Sequence, residues 1–258
     1  MAALLLAAVA VPWPALPEEE SVEKKWAERD GWQHPAEVMD ALGVKPGSVV
    51  ADVGCGDGYF TFHLASRVGP GGKVYAEDVD IKVLGKVSAR AFKEGVTQIE
   101  AVEGVKDDPG LPDGALDAVL VVDAYHEMEK FDAMLAAIYR ALKPGGELGI
   151  IDRKTEPGQP RTSYLEHHRI PPELVREDAA RNGFELLRDA PGFKVPDKSR
   201  EYFFLIFRKP LAPQELKPQG FRTTGTARLP TYAVGTGSVV PFRPVAVVLR
   251  PSQELIPA

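Results

Sequence analysis

The chain has 258 residues, enough to bury a full core, and its 44% hydrophobic and 26% charged content is ordinary for a soluble globular protein. With 31 basic against 37 acidic residues the net charge is -6, and no Lys/Arg cluster tracks a phosphate backbone, so nucleic acid is not expected as a partner. The single cysteine, Cys55, excludes an internal disulfide and a thiolate-rich metal site.

Residues 1–16 read as an apolar leader, a possible signal segment. The run MAALLLAAVA is too short to cross a bilayer as a helix, so no stable membrane span is expected. With Ala8-Val9-Ala10 as a small-residue cleavage pattern it looks like the core of a secretory signal, but the positive region that precedes such a core is missing. Export to the periplasm and a cytoplasmic location both stay open.

Residues 17–43 form the next expected segment, which is helical. PEEESVEKKWAER (17–29) opens on acids and closes on bases, matching the helix dipole, and HPAEVMDALGV makes a second short helix that Gly43 can end. From residue 44 strand and helix alternate. The apolar run 49–53 suits a buried strand, YFTFHLASRV a helix, KVYAEDV a strand, and IKVLGKVSARAFKEG a helix. TQIEAVEG and ALDAVLVVDA give the third and fourth strands, EKFDAMLAAIYRAL a helix, and GELGIID the fifth strand. After a polar loop, PPELVREDAARNGF reads as a helix with Pro in its first turn, and strands near FELLRD and REYFFLIF suggest a hairpin on the sheet edge. The predicted fold is α/β: a doubly wound, Rossmann-like, seven-stranded and mostly parallel sheet with an antiparallel edge hairpin, spanning 44–208. Residues 209–258 are a Pro/Gly-rich tail expected to be extended or disordered.

The functional signal is VVADVGCGDGYF (49–60). Glycines at a strand's carboxyl end let the backbone turn sharply and let a ligand approach the next helix. A dinucleotide fingerprint, G-x-G-x-x-G, would place its third glycine where Tyr59 stands, whereas the spacing here is Gly54, Gly56 and Gly58. Between Lys45 and Arg67 the only formally charged side chains are Asp52 and Asp57, poor neighbours for a pyrophosphate. A cationic or zwitterionic ligand is expected. S-adenosylmethionine fits, with Asp52 near its positive methionine end and the glycines letting the chain pass close to the sugar and amino-acid portions.

D-x-G-x-G-x-G after an apolar strand resembles the first motif of class I S-adenosylmethionine-dependent methyltransferases. The resemblance extends over about residues 44–152. It implies that Asp78, at the end of the second strand, accepts hydrogen bonds from two ribose hydroxyls. Asp107, in EGVKDDPGLPDGALDAVLV, would approach the adenine amino group. YRALKPGGELGIID is similar to the helix, turn and fifth strand that follow the cofactor site. RDGWQHPAEVMDALGVKPGSVVADVGCGDGYFTFHLA, DAYHEM and HHRI…NGFEL look like a group of bacterial methyltransferase-domain proteins often predicted to be exported. The chain departs from that group in carrying Glu127 where a second histidine is common, and in its long tail. The expected reaction is methyl transfer to a small-molecule acceptor. A non-catalytic cofactor-binding protein and, behind it, a nucleotide-dependent oxidoreductase are the alternatives. Oligomeric state is left open.

Methyl transfer is an in-line displacement, so the protein supplies positioning and, for weakly acidic acceptors, a base. Asp123 and Ala124, at the end of the fourth strand, are expected to line the methionine side, and Tyr125 and His126 to point to the substrate cavity. His126 is the expected base, with Asp152 and His168 next in line. His168 is expected as a lid contact, and Arg153 to hold a substrate anion or an ion pair between loops. No metal site is expected: the adjacent His167 and His168 point in different directions, and no third ligand is spaced to join them. Cys55 is expected as a small packing residue in the cofactor loop rather than a nucleophile, and Trp32 and Gln33 either cover the cofactor or pack on the first helix.

Overall fold

The computed structural model describes residues 22–196 and 200–211, all within the compact unit Met1–Gln214. The leader over 1–16, the opening acids of the 17–29 helix and the tail beyond Leu211 lie outside the described residues. Seven strands make one sheet: β1 (Val49–Val53), β2 (Lys73–Asp78), β3 (Ile99–Glu103), β4 (Leu116–Val122), β5 (Leu142–Arg153), β6 (Glu185–Lys194) and β7 (Glu201–Arg208). Their order is β3-β2-β1-β4-β5-β7-β6, with β1 to β5 parallel and β7 antiparallel to both of its neighbours. The late hairpin is thus inserted with its second strand inward. The side chains explain this: β7 has six consecutive buried residues, Tyr202–Phe207, which need cover on both faces, whereas β6 is largely exposed and tolerates the edge.

The helices are α1 (Val22–Gln33), α2 (Pro35–Ala41), α3 (Tyr59–Val68), α4 (Ile81–Glu94), α5 (Phe131–Ala141), α6 (Arg161–Glu166) and α7 (Pro172–Arg181). Strand periodicity divides them between two faces. On β4, Val119 and Val121 pack with Leu135 and Ile138 of α5 and Val175 of α7, while Ala118 and Leu120 pack with Trp26, Met39 and Leu64 of α1, α2 and α3.

Several elements differ from expectation: the polar loop after Arg153 contains helix α6, and β6 runs on to Lys194 rather than ending near Asp189, because its partner β7 is itself eight residues long. Helix α1 continues past Arg29 to Gln33, because Trp26 packs on Tyr59 and Phe62 (ring centroids 5.8 and 5.6 Å) and Trp32 on Tyr202 (5.8 Å). Contacts on successive turns carry the helix through Gly31, as tertiary packing generally outweighs propensity. Trp32 therefore packs on the core side of the segment, and Gln33 is buried, accepting from Arg29 Nε. Strand β5 begins at Leu142 rather than Gly146: Leu142 pairs with Leu116 and Glu147 with Ala118, so Pro144-Gly145-Gly146 is an irregularity inside the strand. No helix among the described residues is long and apolar enough to cross a membrane.

Candidate active site

Neighbouring parallel strands end on the same side, and there the sheet builds its cleft. The register Val53↔Glu77 brings the chain leaving β1 beside the end of β2. The Cys55 N–H donates to the Glu77 carbonyl (2.8 Å) and the Gly56 N–H to Asp78 Oδ2 (3.0 Å). Gly54, Gly56 and Gly58 have φ of 71°, 53° and 82°, a region that only glycine enters freely. At Gly54 a Cβ would also lie 2.6 Å from that of Ala124. The loop's amides are spent inside the protein: Gly54 N–H donates to Glu77 Oε2 (3.2 Å), Gly58 N–H to the Cys55 carbonyl (2.9 Å) and Tyr59 N–H to Asp57 Oδ1 (3.3 Å).

Two cavities meet at this loop and share Gly54, Gly56 and Asp123. The larger, about 330 Å³, is walled by Glu77, Asp78, Val79, Lys106, Ala124 and Glu127, and is of a size that holds small molecules. The smaller, about 190 Å³, is walled by Arg29, Asp52, Cys55, Asp57 and Tyr59. Asp78 sits at the rim with Oδ1 also accepting from the Asp80 N–H (2.9 Å). Asp52 is buried and accepts from Thr61 Oγ1 (2.6 Å); burial outweighs that bond and pushes its pKa up to about 6. Burial, with the nearby acids, raises the Cys55 thiol pKa well above its usual value, which leaves it un-ionised and inert.

Asp107 is not among the lining residues. Val105 and Asp108 exchange backbone hydrogen bonds across a tight turn, which leaves Asp107 exposed and puts Lys106 on the cavity wall, paired with Glu129 (3.2 Å). Glu77 and Arg29 are wall residues that the sequence did not single out. Glu77 is buried with Oε1 unpartnered, in space that exists because residue 104 is glycine: a Cβ there would lie 1.8 Å from Oε1. Burial raises its pKa to about 8 against a partial offset from the Gly54 N–H. Arg29 arrives from α1, its guanidinium over the Tyr59 ring (3.9 Å) and its Nε donating to Gln33 Oε1 (3.0 Å). No local sequence signal links it to a loop some 25 residues away; α1's packing does.

On the other flank, β4 and β5 run in register Val122↔Ile151, so residues 123–127 leave the sheet beside Asp152. Asp123 has φ 53°, accepts from Arg153 Nη2 (2.6 Å) and keeps a buried, unpartnered Oδ1. Strained backbone of this kind concentrates at functional sites. Arg153 also donates to Tyr202 Oη (3.1 Å), so it serves as a bridge between elements.

Tyr125–Glu127 form one 3-10 turn, which sends successive side chains in different directions. Tyr125 is consequently turned away from the cleft: it is buried and its hydroxyl donates to Asp178 Oδ2 (2.9 Å). His126 is buried against Asp152, whose Oδ1 faces Nδ1 at 2.8 Å and whose Oδ2 accepts the His126 N–H (2.9 Å). Burial pulls the His126 pKa down, but the hydrogen bond and charge of Asp152, helped by Asp123 and Glu127, more than reverse this and leave it raised.

The chain after α6 folds back over β5, with the Ile170 N–H donating to the Arg153 carbonyl (2.9 Å). This delivers His168, itself at φ 51°, with Nδ1 3.3 Å from His126 Nε2 and 3.3 Å from Glu127 Oε1. His167 turns away, its Nδ1 2.7 Å from the Ser163 carbonyl.

Residues 50–146 match a protein-family model described as a methyltransferase domain. Among curated relatives, Nocamycin O-methyltransferase of Saccharothrix syringae is 32% identical over 113 residues, 44% of this chain and 40% of that one. Demethylmenaquinone methyltransferase of Lactococcus lactis is 30% identical over 125 residues, 48% and 49% respectively. The chain spans about half the length of the curated relatives it matches. Among solved structures, a SAM dependent methyltransferase from Aquifex aeolicus superposes with TM-score 0.59 at 24% identity, covering 74% of this chain and all of that one. Phosphoethanolamine N-methyltransferase 2 of Haemonchus contortus, solved with S-adenosyl-L-methionine, gives TM-score 0.56 at 19% identity, covering 69% and 53%. Residues 50–146 are therefore a methyltransferase domain, carried on the fold of the class I S-adenosylmethionine-dependent methyltransferases.

Proposed function

We propose that this protein transfers a methyl group from S-adenosylmethionine to a small-molecule acceptor. The observation that carries the reading is the state of the glycine loop. A dinucleotide site keeps its loop amides free for a pyrophosphate, whereas here those of Gly54, Cys55, Gly56 and Gly58 already serve Glu77, Asp78 and the loop itself. What faces the cleft instead is a set of acids, Asp52, Glu77, Asp78, Asp123 and Glu127, with Lys106 among them and the Arg29 guanidinium in the smaller cavity, a charge pattern that suits a ligand carrying two positive centres and one carboxylate.

In this reading Asp78 takes the ribose hydroxyls, and Val79, 58% exposed beside it, offers an apolar surface to the base. Arg29 meets the carboxylate of the amino-acid end, and Asp52 and the unpartnered Asp123 Oδ1 meet its positive centres. S-adenosylmethionine, when bound, supplies an electrophilic methyl group on a sulfonium. Acceptor activation is assigned to the Nε2 face of His126, with Asp152 orienting the ring and His168 and Glu127 closing that face.

Calorimetric titration of the full chain with S-adenosylmethionine, S-adenosylhomocysteine and NAD tests the donor. Micromolar binding of the sulfur ligands, on the order of -8 kcal/mol, is expected. Heat with NAD and none with either sulfur ligand would sink the assignment. Turnover against thiol, hydroxyl, amine and carboxylate acceptors then separates an enzyme from a binding protein.

A further inference from the structure

We propose that His126 Nε2, His168 Nδ1 and a Glu127 carboxylate oxygen form a binding site for a divalent transition ion of the zinc class. Among the described residues these three side chains bring one ligand atom each into a compact triangle, with edges of 3.3 Å (His126 to His168), 3.3 Å (His168 to Glu127) and 3.6 Å (His126 to Glu127). Ligand bonds of about 2.0–2.2 Å in a tetrahedron place donor atoms about 3.3–3.6 Å apart. The triangle therefore already has the dimensions of one face of a tetrahedral site.

Three further features fit. Asp152, fully buried, fixes Nδ1 of His126 and so turns the lone pair of Nε2 toward the other two ligands, the carboxylate–histidine support that metal-binding histidines usually have. His168 holds a left-handed backbone conformation, uncommon for a non-glycine residue, in delivering its ring there. The side chains of Glu127 and His168 are 61% and 58% exposed, so the side opposite His126 is open for a fourth ligand. The other nearby grouping, Asp123, His126 and Asp152, is a worse host: Asp152 is already hydrogen-bonded by His126 and the Arg153 N–H, and the Arg153 guanidinium lies on Asp123. The separation in sequence that argued against a metal at His167-His168 is closed by the fold, which brings His126 and Glu127 to His168 from the end of β4.

Glu127 also walls the larger cavity, so one of the three ligands is shared between the two sites. With the ion bound, His126 Nε2 is a ligand and no longer a free base, so the ion takes over acceptor activation: a thiol or hydroxyl bound at the fourth position would release its proton to solvent, because the cation stabilises the anion left behind. That role rests on the methyl-transfer reading; the site itself does not.

The test uses tag-free full-length protein stripped with a chelator. Zn²⁺ is titrated in competition with a chromophoric chelator, and Co²⁺ is followed by the intense visible bands of a four-coordinate ion. One equivalent is expected to bind. His168→Asn, which keeps a residue that tolerates the left-handed backbone, and Glu127→Gln should each weaken binding by more than the ~10–100-fold that an outer-shell partner is worth. Absence of one-equivalent binding in the wild type, or wild-type affinity in either variant, would overturn the proposal. Thermal shift with S-adenosylhomocysteine runs in parallel: a shift without metal binding defeats the metal site alone, and metal binding without a shift defeats the donor assignment alone.

Discussion

Glu77→Gln isolates the buried acid beneath the glycine loop. The folded protein holds the Glu77 proton up to about pH 8, whereas an ordinary glutamate, as in the unfolded chain, releases it near 4.5. Between those values the folded state binds the extra proton, so this residue makes stability fall as pH rises, and the loss is complete above the folded value. Glutamine imitates the protonated acid: its carbonyl can still accept the Gly54 N–H, and its amide takes the place of the hydroxyl. At pH 4 the variant and wild type should be nearly equal. By pH 7 the pH lies about 2.5 units above the ordinary value, so the variant should be more stable by about 3 kcal/mol, rising toward about 5 kcal/mol above pH 8, as order-of-magnitude figures. For a domain of this size that is roughly 6–12 °C in Tm at pH 7. Urea unfolding and thermal melts from pH 4 to 9 read the difference directly. Asp52, raised to about 6, contributes a slope of the same sign to both proteins and cancels in the comparison. Stability profiles that stay parallel across the whole range would refute the reasoning, because the Glu77 proton would then be held no more tightly folded than unfolded.

Arg29→Ala should weaken S-adenosylhomocysteine binding about 10–100-fold, the worth of a charge-assisted contact at ~1.5–3 kcal/mol, while leaving 5′-methylthioadenosine, which lacks the amino-acid end, within about twofold. Equal losses for both ligands would mean that Arg29 supports the loop rather than the carboxylate. Tyr125→Phe should cost about 1–3 kcal/mol of stability through the hydrogen bond lost at buried Asp178, with no change in S-adenosylhomocysteine affinity. A variant with native stability and weakened ligand binding would return Tyr125 to the cleft.

The sequence alone determined the sheet and its glycine loop, because both are written in local pattern. Continuous apolar runs separated by helical periodicity specify buried parallel strands, and Gly54, Gly56 and Gly58 mark a backbone that must enter the left-handed region. Asp78 was legible for the same reason, since a strand's last residue is fixed once the strand is. What the tertiary structure decided is everything that depends on neighbours distant in sequence. Tyr125 and His126 are adjacent and looked equivalent, yet one 3-10 turn sends the first to Asp178 on α7 and the second to Asp152 on β5. Asp107 lost the cavity wall to Lys106 through a tight turn too local in geometry for composition to foretell. Glu77 becomes a buried proton carrier only because Gly104, on the next strand's exit, leaves room for it, and Arg29 reaches the loop only because Trp26 and Trp32 hold α1 against the core. His168 lies 42 residues from His126, and nothing in their spacing joins them; the return of the chain over β5 does. Local periodicity fixes which way a segment's backbone runs, but the partners of a side chain are set by packing between segments.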